Sequence, residues 1–335
     1  MTKSLVTGGA GFIGSNLVDQ LIEKGHQVIV IDNEYSEAHE QFYYNDKAEY
    51  HNLDIRDDAT RSLYDGVDYV FHIAAEARIG PSIENPTETV SINSFGTCTV
   101  LQFAREAGVK RVVYSSTSSA YGLQEPPHVE ALPDDCLNPY SVSKVNGEKL
   151  CKMYTDLFGL ETVIFRYFNV YGNRQPIKGQ YAPVIGIFLR QLENDQELTI
   201  VGDGEQRRDF VNVKDVVQAN ILAATKQLDD SALGQVYNVG SGVNYSVNEI
   251  AKMISDFTVN IDARPGEAKE TLAHISRIKG TLGWEPTIKV EDWIAEQLAP
   301  EIIPENENPV RRTFDKLKNW LYGEQMLHKS TYRQL

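Results

Sequence analysis

Thr7-Gly8-Gly9-Ala10-Gly11-Phe12-Ile13-Gly14 closes one short apolar run, Leu5 to Thr7, and opens another in which Phe12, Ile13, Leu17, Leu21 and Ile22 recur at helical spacing. The octapeptide satisfies both G-x-x-G-x-x-G and G-x-G-x-x-G. Glycines placed so between a strand and a helix meet three needs together: a tight turn, bare backbone against a pyrophosphate, and a helix N-terminus aimed at negative charge. A second apolar run, Val28 to Ile31, leads into Asp32, where a carboxylate accepts hydrogen bonds from a ribose diol. Asn33 and Glu34 follow where an arginine would greet a 2′-phosphate, so the pattern favours NAD over NADP.

Outward from this turn, β-branched runs alternate with helical patterns: Val70 to Ile73, Val112 to Tyr114 and Val163 to Phe165 continue the series. Such alternation predicts an α/β fold, a Rossmann-type doubly wound parallel sheet whose strands are buried on both faces. After Arg166 the rhythm breaks into turn-rich Gly172 to Gly179, the short run Leu198 to Val201, and Gly202-Asp203-Gly204. Val236 to Val239 reads as a buried strand again. The expected organisation is a dinucleotide-binding domain over 1–170, rejoined by the strand near 236–239, with a smaller interleaved lobe over 171–298 and an extension over 299–335. In that extension Pro300 to Pro309 reads as a linker, and Phe314, Leu317, Trp320 and Leu321 as a terminal helix.

With 335 residues the chain exceeds a lone small module, and its formal net charge of −15 argues against nucleic acid or an anionic membrane as partner. Its three cysteines, Cys98, Cys136 and Cys151, show neither C-x-x-C pairing nor histidine at ligand spacing, so no disulfide scaffold or metal site is expected. With no signal-peptide pattern before Lys3 and no long apolar run, a cytoplasmic protein is expected.

Tyr140 and Lys144 stand four apart in Asn138-Pro139-Tyr140-Ser141-Val142-Ser143-Lys144, on one face of a helix that Asn138 caps and Pro139 starts. A phenol in that first turn, beside an ammonium and an oxidised nicotinamide, is favoured as phenolate and can serve as a base. The hydroxyl-rich run from Tyr114 to Gly122 ends the Val112 to Tyr114 strand at the carboxyl edge of the sheet, the crevice where such sheets bind ligands. Asp54, in Leu53-Asp54-Ile55-Arg56-Asp57, is placed to reach an adenine amino group.

These motifs, together with Arg166-Tyr167-Phe168-Asn169-Val170-Tyr171-Gly172, Arg208-Asp209-Phe210 and Arg264-Pro265-Gly266-Glu267, resemble the extended short-chain dehydrogenases/reductases, and within them the NAD-dependent nucleotide-sugar 4-epimerases, over about residues 3–298. The resemblance implies that Tyr140 is the base, that Lys144 also binds the nicotinamide ribose, and that Thr117 hydrogen-bonds the sugar 4-hydroxyl with Ser118 beside it. It implies a cofactor surface of Gly8, Gly11, Phe12, Ile13, Gly14, Asp32, Asn33, Asp54, Ile55, Ala74 and Ala75. Asn169 is implied in substrate positioning, Val201 near the uridine, and Arg208 and Arg264 at the diphosphate, with Arg207 competing for the place of Arg208. Related dehydratases carry an Asp-Glu pair directly after the Thr, and decarboxylating relatives a glutamate where Ser119 stands; this chain has Ser118 and Ser119.

A UDP-hexose is the implied substrate. In similar epimerases a bulky aromatic at the position of Thr271 restricts N-acetylated sugars, so its small side chain leaves room for UDP-GlcNAc and UDP-GalNAc beside UDP-Glc and UDP-Gal. Arg78, near the expected sugar pocket, keeps a hexuronate open, and a non-catalytic NAD sensor is the alternative of another class. Apolar residues on more than one face of the helices expected at 88–107 and 139–158, among them Val90, Phe95, Met153, Leu157 and Phe158, predict a homodimer.

Overall fold

The apolar runs pair into one sheet because each strand sends alternate side chains to two separate cores. Leu5, Ile29, Val70 and Val112 enter one core, while their neighbours Val6, Val30, Phe71 and Val113 enter the other. A strand with both faces covered has no place for the polar alternation of a half-exposed one.

The computed structural model describes residues 1–36, 41–177, 182–263 and 268–299. The strands are β1 (Lys3–Thr7), β2 (Gln27–Ile31), β3 (Glu49–His51), β4 (Tyr69–His72), β5 (Arg111–Thr117), β6 (Glu161–Tyr167), β7 (Asn169–Tyr171), β8 (Leu198–Val201), β9 (Arg207–Asn212), β10 (Gln235–Val239), β11 (Asn244–Ser246) and β12 (Thr258–Ile261). Seven of them lie in the order β3-β2-β1-β4-β5-β6-β10, every neighbouring pair parallel. The chain winds outward from β1 in one direction, then from β4 in the other. Their carboxyl ends therefore flank the crevice at the reversal point. The return of Val236 to Val239 to the sheet is visible as β10 beside β6.

The helices are α1 (Phe12–Glu23), α2 (Ile79–Glu84), α3 (Pro86–Val90), α4 (Gly96–Glu106), α5 (Pro139–Phe158), α6 (Val184–Glu193), α7 (Val213–Thr225), α8 (Val247–Ile254), α9 (Ser276–Leu282) and α10 (Val290–Leu298). Leu17, Val18 and Leu21 of α1 join Val216 and Val217 of α7 on one face of the sheet. Val100, Leu101 and Phe103 of α4 join Cys151 and Tyr154 of α5 on the other. A third core, with Ile185 and Phe188 of α6, Leu198 and Ile200 of β8, Phe210 of β9, Ile250 of α8 and Trp293 of α10, lies outside the seven-stranded sheet.

The single helix expected over 88–107 is interrupted. Between α3 and α4 the turn Ser91–Phe95 widens to π geometry, with Asn93 buried at 1% exposure. The physical reason is polar. The Asn93 side chain binds the Glu76 backbone in both directions, accepting from its N–H (2.8 Å) and donating to its carbonyl (2.9 Å), and donates to Ser143 Oγ (2.9 Å). Arg264 to Glu267, Lys178 and Gly179 at the end of the Gly172 to Gly179 turn, and all but the first residue of the 299–335 extension lie outside the described residues.

Candidate active site

Gly8 follows β1 with a φ of +71°, a conformation that favours glycine. A Cβ there would stand 2.7 Å from the Ala74 nitrogen, and one on Gly14 would stand 2.0 Å from the Gly8 carbonyl oxygen. The turn therefore admits no side chain at either point. Helix α1 starts at Gly11 without a side-chain cap and with no acidic residue in its first turn, so its leading N–H groups point their partial positive charge into open space. That space is a cavity of about 320 Å³. Gly8, Gly11, Phe12, Ile13, Gly14, Asp32, Asn33, Asp54, Ile55, Ala74 and Ala75 all line it. Asp32 Oδ2 accepts from Ala10 N–H (2.9 Å) and Oδ1 from Glu34 N–H (2.8 Å), which fixes the carboxylate on the wall. Arg56 grips Asp54 through its backbone N–H, Nε and Nη2; burial would raise the Asp54 carboxyl, and the hydrogen bonds and charge of Arg56 outweigh it and hold the carboxyl below its ordinary range. A cradle too tight for a Cβ, an uncapped helix start and a fixed carboxylate beyond it fit a dinucleotide.

Beneath the cradle His72 is fully enclosed. Its Nδ1 meets Thr7 Oγ1 at 2.7 Å and its Nε2 meets Thr97 Oγ1 at 2.9 Å. Thr97 donates to the Asn93 carbonyl (2.5 Å), so its oxygen is left to accept from Nε2–H, and the Thr7 hydroxyl donates to Nδ1. Thr7 Oγ1 also accepts from Ala74 N–H (3.2 Å). Burial, together with the Lys144 ammonium, pushes the imidazole down to about 3, so it stays neutral.

A second cavity, about 470 Å³, shares Ile13, Ala77, Arg78 and Val170 with the first. Its wall carries Thr117, Ser118 and Ser119 from the end of β5 and Tyr140 from the start of α5. Asn138 caps α5 in a reciprocal box with Ser141, and Pro139 occupies its first position, so local sequence sets where Tyr140 enters the crevice. The Thr117 hydroxyl lies near enough to the Tyr140 phenol to act on its proton affinity. Burial raises the phenol above its ordinary value and Glu76 adds to this, while Thr117 acts in the opposite sense.

The protein alone thus departs from the expectation of a phenol made acidic by its neighbouring lysine. Lys144 lies behind the wall, 2% exposed, with its ammonium 4.5 Å from the centre of the Tyr114 ring, and it lines neither cavity. Burial depresses this ammonium to about 7, and Cys151 and Glu148 only partly oppose the shift. One turn further, Glu148 accepts from the Ser116 hydroxyl and from Arg166 through Nε (2.8 Å) and Nη2 (2.7 Å). Ser116 precedes Thr117, so this buried group joins the strand of Thr117 to the helix of Tyr140.

At the far end of the second cavity stand Val201, Gln206 and Arg208. The pleat of β9 turns the adjacent arginines to different sides. Arg207 turns away to Glu249 (2.9 Å) and Asn244 (2.9 Å), whereas Arg208 lines the cavity. Asn169 and Thr271, a hundred residues apart, meet: the Asn169 amide is 3.4 Å from Thr271 Oγ1, which also accepts from Asp209 N–H (3.2 Å). Both line the cavity. Arg264 lies outside the described residues.

Sequence reasoning missed Glu76 and Asn93, although the lone amide in Ile92-Asn93-Ser94 was a signal, being polar in a stretch otherwise fit for burial. It also missed Ile187 and Phe188 on the cavity wall, whose helix α6 has a strongly apolar face that reads from sequence as core alone.

Residues 4–240 match the family model described as the NAD dependent epimerase/dehydratase family. A putative UDP-glucose 4-epimerase of Methanocaldococcus jannaschii is 38% identical over 87% of this chain and 95% of its own. Among solved structures, UDP-glucose 4-epimerase of Thermotoga maritima with UDP-glucose superposes with a TM-score of 0.82 at 34% identity, over 88% of this chain and 96% of that one. The UDP-N-acetylglucosamine 4-epimerase of Methanobrevibacter ruminantium, in complex with UDP-N-acetylmuramic acid, does so with a TM-score of 0.82 at 33% identity, over the same shares. A glycine cradle at the sheet's reversal point, a second cavity opening beside it, and a match over most of the chain lead to one conclusion: the chain belongs to the NAD-dependent epimerase/dehydratase family.

Proposed function

We propose that this chain interconverts the C4 epimers of a UDP-hexose, accepting UDP-GlcNAc and UDP-GalNAc beside UDP-Glc and UDP-Gal. The observation that carries the reading is the juxtaposition of Tyr140 and Thr117 on the wall of a cavity that shares four residues with the glycine-lined one. NAD supplies a hydride acceptor and donor. Tyr140 takes the proton from O4 and later returns it, Thr117 holds that oxygen by its hydroxyl, and Lys144 lies behind the helix start. Arg208 and Val201 hold the diphosphate and uridine, so that the pyranose alone turns over between the two proton transfers. Leu137 and Phe168 add apolar side chains to the cavity wall.

Elimination of water or loss of carboxylate each requires an acid or base next to the Thr. Ser118 and Ser119 line the cavity there, and no carboxylate does so among the described residues. Thr271 supports acceptance of N-acetylated sugars, its hydroxyl being drawn to Asn169 and Asp209 and its side chain small.

Three free cysteines suit a reducing cytoplasm. No helix among the described residues is long and apolar enough to cross a membrane. Phe95 (59% exposed) and Leu157 (67%), with Val90, Met153 and Phe158, leave apolar surface on α3, α5 and the turn between α3 and α4, and we infer that a second copy covers it in a homodimer. Light scattering checks this, and a monomer contradicts it. Incubating the protein with each of the four UDP-sugars and following the anomeric protons by NMR tests the activity. Turnover of none overturns the reading, and turnover of the plain sugars alone removes its N-acetyl part.

A further inference from the structure

Arg78 precedes the first residue of α2 and lines both cavities. The wall of the larger one carries two guanidinium groups, Arg78 and Arg208, and no carboxylate among the described residues. Arg208 belongs with Val201 at the nucleotide end. Arg78 belongs at the other, because α2 packs on α5, which carries Tyr140. Its sole ionic partner among the described residues is Glu76, whose Oε1 is 3.4 Å from Nε and which opens onto the smaller cavity. Neither Nη atom has a hydrogen-bond partner among the described residues, so the distal edge of the guanidinium is left to the cavity. Glu76 cannot follow Arg78 far. Its backbone is clamped by Asn93, which binds Ser143, whose hydroxyl donates to the Tyr140 carbonyl (2.7 Å).

We propose that Arg78 is the specificity-determining cation for the C6 position of the hexose, and that Glu76 sets how much of its charge that position meets. The proposal rests on the UDP-hexose reading above. With Glu76 ionised the pair is neutral as a unit and a C6 hydroxymethyl group is preferred. Without that carboxylate, the open Nη edge matches a C6 carboxylate, the planar acceptor to which a guanidinium binds most strongly.

The test is the ratio of kcat/KM for UDP-glucuronate to that for UDP-glucose in wild type, Glu76→Gln and the double variant Glu76→Gln/Arg78→Met. Glu76→Gln is expected to raise the ratio by about tenfold or more, mainly through a lower KM for the uronate, and the double variant to bring it back to within about threefold of wild type. An unchanged ratio in Glu76→Gln, or a rise that survives removal of Arg78, overturns the proposal. If Glu76→Gln is insoluble, Glu76→Asp weakens the pair by one methylene and must shift the ratio in the same direction; no shift overturns it equally. If wild type turns over no UDP-hexose, the activity reading fails by itself. The ratio of binding affinities for the two nucleotide sugars, measured by calorimetry in the same variants, then decides the charge pair.

Discussion

His72 turns acid into a destabilising force at the centre of the sheet, and the size of the effect follows from its surroundings. The side chain is 1% exposed, both ring nitrogens are engaged by threonine hydroxyls, and its folded value of about 3 lies far below the 6.5 of the free group. Below pH 6.5 the unfolded chain takes up a proton that the folded chain refuses until near pH 3. Stability contributed by the neutral ring is therefore complete above 6.5 and is lost as pH falls. At pH 5 the gap amounts to about one and a half pH units, or roughly 2 kcal/mol, and near pH 3 to roughly 4 kcal/mol. The lower figure is already a sizeable part of the roughly 5–15 kcal/mol that holds a typical domain folded. Urea unfolding of wild type and His72→Gln at pH 7.5 and pH 5.0, followed by tryptophan fluorescence, isolates the effect because other titrating groups are common to both proteins. Wild type should lose roughly 2 kcal/mol more than the variant over that interval. Equal losses would refute the reasoning.

Tyr140→Phe should lower kcat by about 10²- to 10⁴-fold while bound nucleotide still absorbs in the purified protein, since the base is removed and the cradle is untouched. In wild type the raised phenol implies that kcat/KM increases with pH through and above neutrality, and Glu76→Gln should move that rise to lower pH. Gly14→Ala drives a methyl group to 2.0 Å from the Gly8 carbonyl, so the turn must open; loss of copurifying nucleotide is expected, and full retention would contradict the fit argued for the cradle. Thr271→Tyr should reduce turnover of N-acetylated sugars by tenfold or more relative to plain ones, as a competition assay would show, on the order of the 1–3 kcal/mol that a filled pocket commands.

Local patterns carried the sheet. Apolar runs such as Val112 to Tyr114 and Val163 to Phe165 are strands because both their faces are covered, and that condition is written in each run alone. The glycine turn and the Asn138-Pro139 helix start were legible for the same reason: the signal and the structure it produces lie within a few residues of each other. What escaped involves partners distant in sequence. The widened turn at Asn93 exists because the Glu76 backbone and Ser143 offer it hydrogen bonds from 17 and 50 residues away. That Arg208 lines the cavity and Arg207 does not depends on Glu249 and Asn244 across the neighbouring strand and helix. Helical spacing correctly put Tyr140 and Lys144 on one face of α5. It does not tell that the ring of Tyr114 waits beneath the ammonium and draws it out of the cavity wall.

The brace made by Ser116, Glu148 and Arg166 has one more effect. The two acidic and basic side chains are almost wholly withdrawn from water, so counterions that dissolve surface pairs have no access to them. Concentrated salt should therefore weaken the grip on the substrate's phosphates well before it loosens the spacing between Thr117 and Tyr140, and a brine-treated enzyme should fail by losing its substrate rather than by losing its chemistry.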